Sequence, residues 1–178
     1  MATTASLMTV EQFHQLPETG PFYYELRHGE LIKVTRPKFK HYRIQNRLVH
    51  LLEPAAPSGG LVGPEVAFRA LPEHELRVAD VAFVTKQRLD TIDPEDNLHG
   101  APDLVIEVLS PSNTVAEIND KEKLCLENGC QEFWVIDLDL RRVKVSTPDG
   151  ITTTFKAGQE IPLRVLGGGS LKVDSIFA

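Results

Sequence analysis

The sequence predicts a single α/β or α+β domain in which a mixed β-sheet is flanked by helices. Three observations lead to this fold class. The chain has 178 residues, enough to bury roughly 70% of its unfolded surface around one core. Residues 103–137 follow a strand, helix, strand pattern, which places two parallel strands in one sheet with a right-handed crossover. Strand patterns elsewhere in the chain would complete that sheet.

The chain is predicted to begin with a helix and a hairpin. Thr9 and Gln12 have the spacing of a capping box, and apolar residues then recur at helical intervals. Two strands, residues 23–26 and 30–34, follow, and Gly29 between them supplies the positive φ that a tight turn needs. The first elements of the fold are therefore a short helix and an antiparallel hairpin.

A second helix is predicted over residues 41–54, before the main strands. After a loop rich in Pro, Gly and Ala, strands are predicted over residues 61–70 and 76–85. Residues 90–102 are polar and are predicted to form a mobile segment. The apolar positions of the helix predicted over residues 41–54 are Tyr42, Leu48, Leu51 and Leu52.

The C-terminal half is predicted to contain the βαβ unit and then more strands. Residues 103–109 are nearly all aliphatic and form its first strand. Residues 110–113 end that strand and start the helix, and Gly129 stops the helix before the second strand at residues 132–137. Later strands are predicted over residues 142–147, 151–155 and 171–173, with a turn at 148–150 and a flexible link at 167–169.

Hydropathy, cysteine usage and charge exclude several classes of protein. No apolar run approaches the ~18 residues of a membrane span, and the start lacks an export signal, so a cytoplasmic protein without a membrane partner is expected. Cys125 and Cys130 lack C-x-x-C spacing and are expected to be reduced thiols. A formal net charge of −6 argues against a protein that coats nucleic acid.

One segment departs from this negative average. Residues 33–52 contain six basic residues and no acidic residue. Such a run is either a solvated helix face or a surface that binds a polyanion, and the sequence leaves both possibilities open. The basic residues are Lys33, Arg36, Lys38, Lys40, Arg43 and Arg47.

Glu107 interrupts the aliphatic strand at residues 103–109. Both faces of that strand are apolar, which is typical of a central strand that is covered on both sides. A carboxylate taken out of water costs several kcal/mol unless it is paired, protonated or bound to a metal. Glu107 is therefore either a structural ion-pair partner, a residue at a solvated strand end, or a functional acid.

Asp80 is a second charge among apolar neighbours. Alternation places it on the same strand face as Val78, Ala82 and Val84. Two acids on adjacent strands can bind Mg²⁺, which accepts one or two carboxylates and leaves other positions to water and phosphate. Asp80 and Glu107 together therefore favour a metal site suited to phosphodiester cleavage.

Several segments between residues 24 and 137 also carry a family resemblance. They are YEL at 24–26, GEL at 29–31, ADVA at 79–82, PDLVIEVLSPS at 102–112 and EFWVID at 132–137. In this order they resemble the Uma (type two) family of restriction-endonuclease-like proteins, in the PD-(D/E)XK nuclease superfamily. The resemblance implies the restriction-endonuclease-like fold, a mixed sheet core flanked by helices, and divalent-metal-dependent cleavage of DNA.

The resemblance also implies which acids form the site. Asp80 stands at the motif aspartate, although the Arg-Pro that normally precedes it is missing, and Glu107 stands at the motif glutamate. Asp103 spells a misleading Pro-Asp pair, because four residues along one strand separate it from Glu107 by ~13 Å. Glu25 falls at the first acidic motif and would add a third carboxylate, unless it is an exposed hairpin residue.

The lysine of the superfamily motif needs a replacement, because Leu109 stands two residues after Glu107. In the family, a lysine on the following helix, eight residues before the glycine that ends it, takes this place. That residue is Lys121. Helical spacing puts Lys121 on the apolar face of the helix, toward the sheet. The alternative is a surface ion pair with Glu117, four residues earlier.

The resemblance implies a Mg²⁺- or Mn²⁺-dependent endodeoxyribonuclease and also a homodimer, because nucleases of this superfamily commonly act as dimers, with one site for each DNA strand. Asp80, Glu107 and Glu25 would bind the metal, and Lys121 would act on the water or the transition state. Two alternatives remain: an inactive member of the fold that binds DNA or a protein, and an enzyme for RNA or another phosphate ester. The residues expected on DNA are Arg36, Lys38, Lys40, His41, Arg43 and Arg47.

Overall fold

The computed structural model describes residues 7–17, 23–34 and 38–178. Its helices are α1 (Val10–His14), α2 (Phe39–Leu52), α3 (Lys86–Leu89), α4 (Val115–Glu127) and α5 (Val173–Phe177), with a 3-10 helix at Glu53–Ala55. Its strands are β1 (Tyr23–Arg27), β2 (Glu30–Val34), β3 (Leu61–Arg69), β4 (Arg77–Val84), β5 (Leu98–His99), β6 (Leu104–Val108), β7 (Glu132–Asp137), β8 (Arg142–Ser146), β9 (Thr152–Lys156), β10 (Glu160–Pro162) and β11 (Ser170–Lys172).

Seven strands form the main sheet in the order β5-β3-β4-β6-β7-β8-β9. The pairs β3–β5 and β6–β7 are parallel, and the other neighbours are antiparallel. The parallel pair β6–β7 is joined through α4, as the βαβ pattern predicts. The mixed sheet with flanking helices confirms the predicted fold class.

The two long helices pack against opposite faces of this sheet. From α2, Leu48 and Leu52 lie in the core cluster that contains Phe83 and Ile106. The apolar face of α4 packs in a separate cluster around Val105 and its neighbours. Each core strand therefore buries side chains on both faces, which explains the almost unbroken aliphatic run of β6.

The hairpin β1–β2 packs with α1 beside the start of β4. Leu26 pairs with Leu76 through two backbone hydrogen bonds, and both side chains are buried with Val10. His28 and Gly29 have φ values of 51° and 76°, so both central residues of the predicted turn are left-handed, as in a type I′ turn. The capping box predicted at Thr9 is also present.

The helix of the βαβ unit begins later than predicted. Residues 110–113 form a turn instead, because the Oδ1 of Asn113 accepts hydrogen bonds from the backbone N–H and the hydroxyl of Ser110. Thr114 is the N-cap of α4 and forms a capping box with Glu117. Gly129, with φ of 111°, lies just beyond the helix end as predicted.

Other local features differ from the prediction. Tyr42, expected on the apolar face of α2, is 51% exposed. The polar segment at residues 90–102 contains β5, whose Leu98 is buried against β3. The short elements α3, β10 and α5 have too few residues to show a periodic pattern in the sequence.

Both cysteines are buried free thiols, as expected. In the described part of the chain, no helix has the length and apolar character that a membrane span requires.

Candidate active site

The two motif acids, Asp80 and Glu107, face each other across neighbouring strands. β4 and β6 are antiparallel, and the pairing of Val81 with Ile106 puts Asp80 opposite Glu107 at the next position. The backbone N–H of Asp80 donates to Oε1 of Glu107 at 3.4 Å. Glu107 is only 7% exposed, as its apolar strand predicts. The fold therefore brings both acids to one point of the sheet.

Three donors hold the carboxylate of Asp80. The backbone N–H of Val108 donates to Oδ2 at 2.7 Å, and Nε2 of Gln45 donates to Oδ1 at 3.1 Å. The Nε2 of His41 lies 3.1 Å from Oδ2 and 2.9 Å from the carbonyl oxygen of Val108. Because both of these atoms are acceptors, Nε2 of His41 carries the proton. The inward face of α2 thus fixes the orientation of Asp80.

Lys121 lies against the sheet and contacts Glu107. Its Nζ is 2.7 Å from Oε1 of Glu107 and donates to the carbonyl oxygen of Val78 at 2.6 Å. The alternative surface pair with Glu117 is wrong, because Lys121 is only 7% exposed and its Nζ contacts Glu107 and Val78 instead. The helical spacing therefore predicted the direction of the Lys121 side chain correctly.

Glu25 is a buried residue of the same site. It is 5% exposed, so the alternative of an exposed hairpin glutamate is wrong. Its Oε1 accepts from the backbone N–H of Val78 at 3.0 Å, and its Oε2 accepts from Nε of Arg27 at 2.8 Å. Both carboxylate oxygens of Glu25 are thus held by donors of the protein itself.

Burial and charge change the pKa values of this cluster. Burial raises the pKa of Glu107 to about 7, against the lowering effect of Lys121 and with a further increase from the charge of Asp80. Burial would lower the pKa of Lys121, but Glu107, Glu25 and Asp80 outweigh it and raise that pKa. Lys121 is therefore a stable cation, whereas Glu107 changes its charge near neutral pH.

The other two groups shift in the direction that preserves their interactions. Burial would raise the pKa of Glu25, but the charges of Lys121 and Arg27 outweigh this and lower it below the usual value, so the carboxyl is ionised at neutral pH. Burial lowers the pKa of His41, but the hydrogen bond and charge of Asp80 outweigh this and raise it above the usual value. Negative charge therefore dominates the electrostatics around His41.

As metal ligands, the site offers two carboxylates on adjacent strands, those of Asp80 and Glu107. Among the described residues, no three side chains of His, Cys, Asp or Glu converge so that they could hold one ion. No such group combines Glu25 with Asp80 and Glu107, so the third carboxylate ligand that the resemblance implies stays a prediction. The carboxylates of Asp80 and Glu107 and the carbonyl oxygen of Val108 remain as hard oxygen donors, which suit Mg²⁺.

A cavity of about 680 Å³ opens over these residues. Both motif acids, Glu25 and Lys121 line it, together with the hairpin β1–β2 and the turn at residues 110–113. Its volume is within the range of about 300 to 1,000 Å³ that ligand sites occupy. The acids are therefore accessible to a substrate group although they are largely buried.

The basic residues expected on DNA are divided by the structure. Lys38 and Lys40 are exposed and line the cavity, whereas Arg43 is exposed without lining it. Arg47 is half-buried, and its buried Nη1 has no hydrogen-bond partner in the described chain. Arg36 lies outside the described residues. His41 lines the cavity and contacts Asp80, so it lies inside the site and not on an outer surface.

Asp103 lies at the opposite end of β6, as the spacing argument predicts. Its Oδ2 accepts from the backbone N–H of Thr85 at 2.9 Å and lies 3.6 Å from Nη1 of Arg88. Thr85 is the N-cap of α3, so Asp103 fixes the start of that helix. The aspartate of the Pro-Asp sequence therefore has a structural role at the start of α3.

Gln45 and Arg27 also belong to the site, and the sequence interpretation assigned neither. Gln45 is 1% exposed on α2, four residues after His41, and this spacing places both on one helix face. Arg27 follows Glu25 by two residues and therefore shares its strand face. These spacings were visible in the sequence, but the contacts with Asp80 and Glu117 depend on elements that are distant in the chain.

The mixed sheet, the opposed acids and the buried lysine define a protein of the restriction-endonuclease-like class. The chain belongs to the Uma2 family, described as "Putative restriction endonuclease", whose model matches residues 10–174. This membership confirms the family resemblance of the sequence motifs.

A solved structure supports the same fold. It is the crystal structure of "a putative nuclease belonging to DUF820" from Anabaena variabilis ATCC 29413, which is 25% identical and has a TM-score of 0.80. The match covers 96% of this chain and 97% of that chain. No curated protein matches the sequence at a significant level.

Proposed function

We propose that the protein is a metal-dependent nuclease that hydrolyses phosphodiester bonds of DNA, with Mg²⁺ or Mn²⁺ as its cofactor. The observation that carries the proposal is the buried Glu107 placed between Asp80 and Lys121 at the floor of an open cavity. The family description and the description of the similar structure support it. A purely structural ion pair would not need a second acid and a cavity beside it.

The carboxylates of Asp80 and Glu107, with the carbonyl oxygen of Val108, would hold the ion. A bound divalent ion lowers the pKa of a coordinated water and polarises the scissile phosphate. Mg²⁺ keeps several positions for water and phosphate oxygens, which fits a ligand set with two carboxylates. The ionised form of Glu107 binds the cation, so metal affinity should rise with pH through about 7.

The other residues of the site have distinct roles in this proposal. Lys121 orients the attacking water or stabilises the charge that develops on the phosphate. His41 and Gln45 keep Asp80 in position, and the buried charge of Glu25 keeps Lys121 protonated. The exposed Lys38 and Lys40 bind DNA phosphates at the rim of the cavity, and Arg36, Arg43 and Arg47 extend that basic surface in the proposal.

Plasmid cleavage with Mg²⁺ or Mn²⁺ tests the proposal. The parent should nick or linearise the plasmid, and Asp80→Asn and Glu107→Gln should reduce the rate by at least about a thousandfold, equivalent to ~4 kcal/mol. Asp103→Asn is the matched control, because this acid lies at the other end of β6 and should leave the rate unchanged. Unchanged cleavage in the Asp80 and Glu107 variants would exclude the mechanism.

The same assay separates the alternatives. Absence of cleavage by the parent on any DNA, combined with DNA binding, would favour a binding module with the nuclease fold. Cleavage of RNA but not DNA would favour the alternative substrate. We also propose a homodimer, because a double-strand break needs two sites, and light scattering of the purified chain tests this directly.

A further inference from the structure

The start of α2 presents two exposed aromatic rings between basic residues. Phe39 is 74% exposed and Tyr42 is 51% exposed, and their ring centroids lie 6.5 Å apart. Lys38, Lys40 and Arg43 alternate with them in the chain, and all three are exposed. We name Phe39 and Tyr42 the aromatic pair. Exposed rings that alternate with cations are not needed for the packing of α2, which uses its other face.

We propose that the aromatic pair stacks on an unpaired base of the nucleic-acid strand whose phosphate enters the cavity. This proposal rests on the proposed nuclease function and specifies its substrate as a strand with unpaired bases. Stacking on aromatic rings is available to every base, but in an intact duplex the neighbouring bases cover both faces. The substrate would therefore be single-stranded DNA, a flap or a distorted duplex.

The positions of the charges support this occupant. Lys38 and Lys40 line the cavity and also flank Phe39 in the chain. Lys38 is the N-cap of the 14-residue α2, it makes no side-chain capping bond, and the first turn contains no acidic residue. Lys40 lies 3.9 Å from the exposed Asp139, a contact that solvent screens, so this helix end still presents positive charge to a phosphate, next to rings that can take the base.

The distance between cavity and rings also fits a single strand. His41 faces the cavity, whereas Phe39 and Tyr42 are on the outward side of the same helix. Successive residues of an α-helix are about 100° apart around its axis, so the rings lie within about one helix diameter, ~10 Å, of His41. One or two nucleotides can span this distance, so the stacked base lies close to the scissile phosphate in the chain of the substrate.

A contact between two copies of the protein fits the aromatic pair less well. In a two-fold contact each patch meets its own copy, so Lys38, Lys40 and Arg43 would face like charges. Two rings also provide far less than the ~800 Å² per partner of a stable interface. A polyanion with exposed ring faces matches both the charge and the size of this surface.

Binding measurements in the Glu107→Gln background, which separates binding from cleavage, test the inference. Replacement of both rings, Phe39→Ala with Tyr42→Ala, should weaken binding of an oligothymidylate strand by at least about tenfold, and binding of a blunt duplex by less than about twofold. Conservative exchange, Phe39→Tyr with Tyr42→Phe, should retain the affinity. Val115→Ala, which removes an exposed apolar side chain from α4, is the matched control.

The lysines provide a second, independent measurement. Lys38→Ala with Lys40→Ala should weaken the binding of both substrates. It should also reduce the slope of log K against log salt concentration for single-strand binding by about 0.7 per lost phosphate contact. The ring variant should leave that salt dependence unchanged, because stacking releases no counterions.

Three outcomes would overturn the stacking inference. The first is an unchanged single-strand affinity in the ring variant, and the second is an equal loss of affinity for the blunt duplex. The third is a molecular mass of the ring variant in light scattering that differs from that of the parent, which would identify the rings as a contact between copies. None of these affects plasmid cleavage by the parent. Conversely, a parent that binds single strands but cleaves no DNA would contradict the proposed function and leave the stacking result in place.

Discussion

Lys121 and Glu107 form a buried ion pair: the Nζ and Oε1 atoms lie 2.7 Å apart, and each side chain is 9% exposed. Two other carboxylates, those of Glu25 and Asp80, contribute to the electrostatic environment of the ammonium group. The pair therefore joins α4 to β6 at the centre of the candidate site. Removing either partner would leave the other charge in a poorly solvated position.

The variant Lys121→Met should unfold more easily than the parent, and more so at alkaline pH. Lys121 lowers the pKa of Glu107, so its loss raises that pKa further, and at about pH 8 the folded variant must either bury an unpaired carboxylate or take up a proton, at a cost of up to about 3 to 5 kcal/mol. At about pH 5 Glu107 is protonated, so the cost should be smaller. Urea unfolding at both pH values measures the difference. Lys123→Met, an exposed lysine on the same helix, is the control. An equal loss at both pH values would contradict the assignment.

The stability of the metal-free protein should fall as the pH rises from about 4.5 to about 7. Burial raises the folded-state pKa of Glu107 from 4.5 to about 7, so the folded state holds this proton more tightly than the unfolded state. The resulting contribution is complete below pH 4.5 and is lost as the pH rises through 7. At ~1.4 kcal/mol per pKa unit, the loss is on the order of 3 kcal/mol.

Comparison with Glu107→Gln isolates this contribution, because the amide does not titrate. Unfolding in urea with a chelator present, over a pH series, gives the free energy of each protein. The parent should lose stability across this pH window relative to the variant. Parallel curves for the two proteins would show that Glu107 has an ordinary pKa in the folded state.

Glu25→Gln should separate a metal ligand from a residue that acts through Lys121. An ion pair with Arg27 at 2.8 Å neutralises the carboxylate of Glu25, whereas a backbone N–H and an amide donate to Asp80, so we expect Glu25→Gln to change the affinity for Mn²⁺ by less than about twofold. Asp80→Asn should lower the same affinity by at least about tenfold, or ~1.4 kcal/mol. Calorimetric titration measures both values. A loss in Glu25→Gln as large as that in Asp80→Asn would instead support Glu25 as a third ligand, as the resemblance implies.

The sequence predicted those parts of the site that depend on local periodicity. Glu107 and Asp80 were visible as charges in strands whose other residues are apolar, and burial followed from that pattern alone. Lys121 could be placed because helical spacing separates the sheet-facing side of α4 from its exposed side. The motif resemblance then selected these three residues as one group, and the structure brings them together.

The remaining parts depend on contacts between distant segments. Gln45 reaches Asp80 because α2 crosses the sheet at that point, and no local pattern determines where a helix crosses. The strand β5 exists because Leu98 pairs with Phe68 of β3, not because two residues have a strand propensity. The late start of α4 follows from the turn formed by the side chain of Asn113, which competes with the helix.

Gln45→Leu should impair the function of the site with little effect on stability. The change removes a hydrogen bond to the carboxylate of Asp80, which costs about 1.5 to 3 kcal/mol. It also removes the buried Oε1 of Gln45, which has no hydrogen-bond partner within the described chain. Removing such an unsatisfied atom stabilises the folded state by about 1 to 3 kcal/mol. The two effects nearly cancel in the free energy of unfolding. The orientation of Asp80, however, would no longer be fixed at Oδ1.

We therefore expect Gln45→Leu to lower kcat by about 10- to 100-fold, as for other residues that orient a metal ligand. The KM for DNA should stay within about twofold of the parent value, because uniform substrate binding is not affected. Gln45 is 1% exposed and cannot contact a bound strand. Asn46→Leu changes the next residue, which is exposed, and serves as the control. Calorimetry with Mn²⁺ gives a readout that does not depend on cleavage and should show weaker binding. A raised KM with unchanged kcat would instead place Gln45 in substrate binding.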